Sequence, residues 1–560
     1  MARKERHKAK PAAPSAPAGP RWWHWALGVF LALFVAFQSY APALDGPFVF
    51  DDNYLPMNQP NPSAELRTWV IAVRPVLFLT YWMNFRYSGT DPRPYHAANV
   101  VIHVACALLV FFVARRLAGG FVAPAVAGAV FLLHPVQTES VAYIAGRSES
   151  LSAMFFLAAF ALFLYRREEA VSWRVSAGVL ALFGAALGSK EHTIVLPAAL
   201  LLTDLFFYPD RIRRNWRLYG PIVLGGIGGA AFVIQRIGGP TTAGFGIKEF
   251  TWYEYLFTQF RVVWMYPRLF LFPAGLNADY DFPISRSLLD RGSVVGLAGI
   301  VLALAAVVVF RKRYRLACFG ALFFLLVLAP TSTVIPIKDP IAERRMYLPM
   351  VGLLLIVVDL ARAAPRKTLA VAGAGAALLC AVLTHERSRV WSGPEALWRD
   401  TIAKSPRNGR AHFQLASTYY AAGRCREALA EYGQVAALRQ PDHELLVDWG
   451  LALDCAGQSA EAAAKLTEAA ALDRTAHVYS QLGMVHGKAG RVDEAMRALE
   501  TAIQIDPEYD MTYVYRGHVY LSRNEPALAV ADYRRALELN GSNALARASL
   551  AQAEQRLKAR

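Results

Sequence analysis

Two adjacent carboxylates, Asp51 and Asp52 in the string Phe48-Val49-Phe50-Asp51-Asp52-Asn53, stand shortly beyond the first apolar run, on its far side from a basic tail at 1–21. An acid pair in that place points to chemistry at a membrane surface. Alone, such a pair is as readily a solvated turn. Its weight comes from other ionisable residues in short motifs: Arg74-Pro75; His96, Asn99 and His103; His134 through Glu139; Arg147 and Glu149; Lys190-Glu191; Asp279 and Asp281; and Lys338-Asp339 leading to Glu343-Arg344-Arg345. The planar forks of the arginines suit an anionic group such as a phosphate.

The elements that position these residues are helices in a membrane. The 560 residues are 55% hydrophobic with mean hydropathy +0.27, too apolar for an ordinary soluble protein. Apolar runs near 22–41, 95–114, 121–134, 150–165, 173–188, 193–208, 218–235, 293–310, 316–330, 346–361 and 367–384 predict about eleven spans. Basic residues fill every second loop: the tail, Arg115-Arg116, Arg166-Arg167, Arg211 to Arg217, Arg311 to Arg313 and Arg362 to Lys367. The N terminus is therefore expected inside and the C terminus outside, with the first span an uncleaved anchor. Trp252 to Phe272 carries Arg261 near its centre, which is costly in lipid, so it reads as an interfacial or re-entrant helix on the outer side. The formal charge of +16 is concentrated in the membrane half, where the orientation rule accounts for it without nucleic acid.

With that topology the polar motifs collect on the outer side. His96, Asn99 and His103 share one face of the second span, as interhelical hydrogen bonds or substrate contacts; spacing offers no third metal ligand. His134, Glu139, Arg147 and Glu149 share a short outer loop, and Arg147 is a good anion-binding candidate. Lys190 and Glu191 could pair with each other. Asp339, Glu343 and Tyr347 repeat every four residues, so one helical face could present them while Arg344 and Arg345 point elsewhere. Asp279 and Asp281 fit turn chemistry or a Ca²⁺ site.

Residues 409–560 have a different pattern. Ala428, Ala462, Ala495 and Ala529 recur at steps of 34, 33 and 34, as do Ala416, Gly450, Gly483 and Gly517. This resembles tetratricopeptide repeats, paired helices that stack into a solenoid with a groove for an extended peptide or another protein. Four repeats are expected, with a capping helix at 543–558. Cys425 and Cys455 fall on antiparallel helices of neighbouring repeats and could be a disulfide or two free thiols.

Phe48 to Asp52, Arg74-Pro75, Tyr95-His96-Ala97-Ala98-Asn99 with His103, His134-Pro135-Val136-Gln137-Thr138-Glu139, Ser189-Lys190-Glu191 and Ala342 to Pro349 together resemble the transmembrane and tetratricopeptide repeat-containing O-mannosyltransferases of the GT-C superfamily. The resemblance covers nearly the whole chain. It implies an all-α fold, with a basic tail at 1–21, a GT-C-like membrane domain at 22–384, a connecting helix at 385–408 and the repeats at 409–560. It also implies an inverting transferase that moves a mannose-like sugar from a polyprenyl-phosphate donor to a hydroxyl, as on Ser or Thr of an exported protein. Asp51 or Asp52 would be the base; Arg147, Lys190, Arg344 and Arg345 would hold the donor phosphate. Arg74, His96, Asn99, His103, His134, Glu139, Glu191 and Glu343 would support them. No cofactor is firmly implied, and a divalent metal is compatible. The partners are the lipid donor, membrane lipids and a protein at the repeat groove. Frequent Ala and Arg favour a bacterial inner membrane with periplasmic repeats, the alternative being an endoplasmic reticulum membrane with lumenal ones. The competing functional reading is a non-enzymatic membrane-anchored scaffold that displays the repeats.

Overall fold

The computed structural model describes residues 22–59, 62–71, 73–165, 170–225 and 244–559. The basic tail, Arg166-Arg167 and the far end of the span expected at 218–235 lie outside them. Among the described residues the chain is helical throughout and forms no β-strand. In lipid this is the economical outcome, since a helix pairs its own backbone polar groups.

Every expected span is helical where described, but length separates them. Trp22–Leu44, Arg93–Ala118, Arg147–Tyr165, Asp290–Phe310 and Arg366–Val390 are long and apolar enough to cross a membrane. Val122–Leu133 and Leu196–Phe207 have 12 residues and Met350–Leu360 has 11. At 1.5 Å per residue these reach roughly 16–18 Å, short of a ~30 Å hydrocarbon core. Prolines set several of these limits: Pro135 disfavours helix at His134, and Pro197 and Pro349 sit at helix starts. Of the membrane-length helices, Arg147–Tyr165 is the most enclosed, 72% buried across its apolar window against 11–22% for the first, fourth and fifth. It forms the centre, with Phe156 and Phe160 packed on Phe323.

The helix Trp252–Leu271 starts at a capping box made by Thr251 and Glu254. Its Arg261 donates to the Pro283 carbonyl and the Ser285 hydroxyl at 3.0 Å and lies over Phe282. The expected domain boundary at 384 is not a break. Arg366–Val390 runs through it, because Gly393-Pro394 is the first helix-breaking pair, and a turn at 391–393 leads into Pro394–Lys404.

Four helical hairpins follow, from Gly409–Ala421 to Pro526–Leu539, capped by Ala544–Lys558. A Cβ at Gly450, Gly483 or Gly517 would come within 2.9, 2.5 or 2.6 Å of Leu466, Leu499 or Tyr533, so the recurring small residue sets the helix spacing. Cys425 and Cys455 are joined as a disulfide across repeats one and two, their Cα atoms 5.9 Å apart. Alkylation of denatured protein without reductant is expected to label neither cysteine, and both after reduction; full labelling beforehand would contradict the bond.

Candidate active site

The Asp51-Asp52 pair lies in one 3-10 turn, Phe50–Tyr54, whose first residue has a left-handed backbone, φ 52°. Such a φ is unfavourable for an aromatic residue and needs packing to hold it. The Phe50 ring lies 6.2 Å from Tyr143, nearly parallel, and edge-on to Trp398 at 5.3 Å. The turn sends the two acids in opposite directions. Asp52 is fully buried, and its carboxylate accepts from the backbone N–H groups of Val49 (3.1 Å) and Ala145 (2.7 Å). Burial pushes its pKa up to about 8, overriding the pull of those two donors. Asp51 is exposed, and its backbone N–H donates to the Tyr143 hydroxyl at 2.9 Å.

Asp51 lines a cavity of about 830 Å³ between the membrane half and the first repeat. Asn53, Tyr54, Arg286, Lys338 and Asp339 line it from the membrane half; Arg407, Arg410, Gln414, Arg439 and Glu444 line it from the repeat side. The polar lining suits a peptide or sugar better than an apolar ligand.

The loop under the turn is tightly folded. A Cβ on Gly146 would meet the Glu139 carbonyl at 2.6 Å and the Tyr143 carbonyl at 2.9 Å. Asn99 Nδ2 donates to the carbonyls of Val141 and Tyr143, and Asn99 Oδ1 accepts from Arg147 Nε at 2.7 Å. Arg147 does not have the arrangement expected of a phosphate ligand. Its guanidinium is fully enclosed, donates also to Asn84, Thr80 and the Tyr95 carbonyl, and lies 4.5 Å from the Tyr81 ring. Arg147→Ala is expected to cost roughly 3–5 kcal/mol of stability by stranding these partners, read as a lower thermal midpoint in detergent.

The histidines are structural links. His96 Nε2 bonds the Gly46 carbonyl at 3.1 Å. His103 Nε2 bonds the Leu132 carbonyl and its Nδ1 the Tyr347 hydroxyl, and His134 Nε2 bonds the Phe270 carbonyl. Asn99 and His103 thus bond neighbouring helices through Arg147 and Leu132, whereas His96 bonds the loop after the first helix. Among the described residues no three His, Cys, Asp or Glu side chains converge as a metal site.

A second group gathers around Glu149. Lys190 Nζ lies 2.5 Å from Glu149, and Arg74 holds Glu191 by two bonds of 2.8 and 2.9 Å. The expected Lys190–Glu191 pair is therefore replaced by two longer-range pairs, because Lys190 and Glu191 project to different neighbours. Burial pulls the Lys190 pKa below its usual range, with Arg74 and Arg344 adding to the fall and Glu149 opposing it. Arg344 pairs with buried Glu139 through its side chain and donates its backbone N–H to Glu139 at 2.8 Å. Arg74, Lys190 and Arg344 thus bring together three ion pairs, with Glu191, Glu149 and Glu139, whose cations act on one another, and Arg344 also acts on Tyr143, the residue that bonds Asp51.

The expected face of Asp339, Glu343 and Tyr347 does not form, because Glu343–Met346 is only a short 3-10 turn. Asp339 meets Arg410, Tyr347 meets His103, and Glu343 accepts from the Tyr280 hydroxyl at 2.7 Å and lies 3.9 Å from Arg387. Burial pushes the Glu343 carboxyl up to about 7. Arg345 ties down its own loop by donating to the carbonyls of Asp339 and Pro340, so it is not aimed at a ligand. Arg410 takes both carboxylate oxygens of Asp279, at 2.6 and 2.7 Å. Tyr143, Trp398 and Arg410 were not evident as site residues from the sequence. Each reaches the Asp51 turn across a long separation, and only the periodicity around Arg410 was visible.

Tetratricopeptide repeat models match residues 476–509 and 512–543. Protein O-mannosyl-transferase F38B6.6 of Caenorhabditis elegans is 25% identical over 72% of this chain and 61% of its own length. The chain is thus similar in sequence to proteins named as protein O-mannosyl-transferases. The human protein O-mannosyl-transferase TMTC3 is 22% identical over 84% of this chain and 58% of its own. The chain thus spans about 60% of the length of these O-mannosyl-transferases. Of solved structures, one of MamA aligns with 27% of this chain and 88% of its own at 25% identity, with a TM-score of 0.24.

Proposed function

We propose that this chain is a membrane glycosyltransferase that moves a mannose-like sugar from a polyprenyl-phosphate donor to a Ser or Thr hydroxyl of a protein acceptor. The observation that carries this reading is the split of the acid pair: Asp51 opens into the cavity shared with the first repeat, while Asp52 is buried beneath it. The printed names of the relatives support the reaction class.

In the mechanism, the acceptor hydroxyl enters beside Asp51, which takes its proton as the oxygen attacks the anomeric carbon. The bond from that carbon to the phosphate oxygen breaks, inverting the centre, and polyprenyl phosphate leaves. Charge grows on the leaving phosphate, so cations aimed at it favour the transition state. Arg344, Lys190 and Arg74 are the group we assign to that role. Arg147, enclosed, and Arg345, tied to its own loop, are not. The donor's tail stays among membrane lipids while its head reaches the boundary. Asp52 holds the turn through Val49 and Ala145.

The repeats and Asp51 share one cavity, so they lie on the same side of the membrane. The Cys425–Cys455 bond supports an oxidising compartment there. We infer a bacterial periplasm, with the endoplasmic reticulum lumen as its eukaryotic counterpart. The test is transfer by purified full-length protein in lipid nanodiscs from polyprenyl-phosphate mannose to a Ser/Thr-containing polypeptide. Glycosylated product with release of polyprenyl phosphate is expected. Failure to transfer to any hydroxyl acceptor, with the repeat array alone on an unrelated anchor sustaining cellular function, would favour the scaffold reading instead.

A further inference from the structure

Arg410 begins the first helix of the first repeat, far in sequence from the acid pair, yet it reaches the Asp51 turn from outside the membrane half. Its Nε and one terminal nitrogen bind the two oxygens of Asp279 at 2.6 and 2.7 Å, and that terminal nitrogen also reaches Asp339 at 2.7 Å. The fork fits the two acids in a way that a single ammonium cannot. Backbone contacts reinforce the seam: Asn408 donates to the Asp279 carbonyl at 3.2 Å and Lys404 to the Leu276 carbonyl at 2.6 Å.

The same guanidinium lies 5.8 Å from the ring centre of Phe50. Phe50 is the left-handed residue that turns Asp51 outward. A strained residue keeps its conformation only while its surroundings over-determine it. Of the groups described around the ring, Tyr143 belongs to the membrane half, whereas Trp398 and Arg410 come from the connecting helix and the first repeat. Two of the three groups around the Phe50 ring are therefore supplied by segments C-terminal to the membrane half, while the hydrogen bonds of Asp51 and Asp52 come from within it.

We propose that Arg410 is a positioning residue: clamped by Asp279 and Asp339, it makes the first repeat a wall of the transfer site and holds the Phe50–Asp51 turn in place. The repeats then do more than capture an acceptor. A polypeptide that engages the first repeat beside Gln414 contacts the element that sets Asp51. The kinetic part of this inference rests on the transferase reading; the conformational part does not.

The experiment compares wild type, Arg410→Ala, Arg410→Lys and Asp339→Ala as full-length protein in nanodiscs. The first readout is hydrogen exchange. Amides of 51–55 are expected to exchange about tenfold faster in Arg410→Ala, with those of the third and fourth repeats unchanged. The second is transfer to a short Ser/Thr peptide. There kcat is expected to fall on the order of 10²-fold while the KM for the donor stays within about twofold, with partial recovery in Arg410→Lys. If Arg410→Ala does not fold, Asp339→Ala, which removes one arm of the clamp, is expected to shift exchange in the same direction by about threefold. Unchanged exchange at 51–55 in the folded variants overturns the proposal, whether or not the wild type transfers sugar. A rise in the peptide KM alone, with kcat intact, also overturns it and leaves Arg410 a mere acceptor contact. If the wild type transfers nothing but exchange at 51–55 rises as expected, the clamp stands and the transferase reading falls.

Discussion

Asp51→Asn is expected to lower sugar transfer by about 10²–10⁴-fold while leaving the protein folded, because it removes a proton acceptor that faces a cavity. The side chain of Asp51 is exposed, and its turn is held by its backbone bond to Tyr143, which Asn keeps. Asp52→Asn should behave differently. Both oxygens of Asp52 accept backbone N–H groups, so an amide must turn a donor toward one of them. The expected cost is about 1–3 kcal/mol of stability, with activity lost in proportion to the displaced turn. Transfer rates beside thermal midpoints separate the two. Full activity in Asp51→Asn would sink its assignment as base.

The pH dependence follows from the same burial. Asp52 holds its proton up to about 8 when folded, against an ordinary 3.8, so between those values the folded chain binds a proton that the unfolded chain has released. The resulting stabilisation is complete below about 4 and is lost as pH rises through about 8. The thermal midpoint of the wild type is expected to fall from pH 5 to pH 8.5 more steeply than that of Asp52→Asn, whose amide does not titrate. Equal slopes would assign the dependence to another group.

The second large effect is expected at Arg344. Arg344→Ala removes the cation beside a carboxylate that is 1% exposed, and breaking such a pair costs roughly 3–5 kcal/mol. If Arg344 also stabilises the leaving phosphate, transfer falls by about 10²–10³-fold. A double variant separates the two consequences. Glu139→Gln with Arg344→Met removes both charges and is expected to regain much of the thermal stability without regaining transfer. Recovery of transfer in that double variant would show that the guanidinium served only the fold.

The helical segments were legible because hydrophobic length is a local property. The repeats were legible because small residues at 428, 462, 495 and 529 must recur wherever paired helices approach. The number of membrane-length helices was not. Pro135, Pro197 and Pro349 cut apolar stretches into pieces whose enclosure depends on neighbours rather than on their own composition. Among the polar motifs, residue type predicted that partners would be found, not which ones. Lys190 and Glu191 are adjacent in the chain yet pair with Glu149 and Arg74. Arg147 looked like an anion ligand because an arginine in a short outer loop usually keeps a free face; here Asn84, Asn99 and Tyr81 enclose it.

By itself, then, the sequence determined that the chain is an α-helical membrane protein with a repeat array, and which acids and cations were available for chemistry. These follow from hydrophobic length, spacing and side-chain charge, all readable along the chain. Tertiary structure alone decided that Asp51 opens to the cavity while Asp52 is buried, and that the first repeat closes that cavity. The physical reason is long-range contact. Tyr143, Trp398 and Arg410 meet at Phe50 from positions about 90, 350 and 360 residues away, and their packing sets a backbone angle that local preference disfavours.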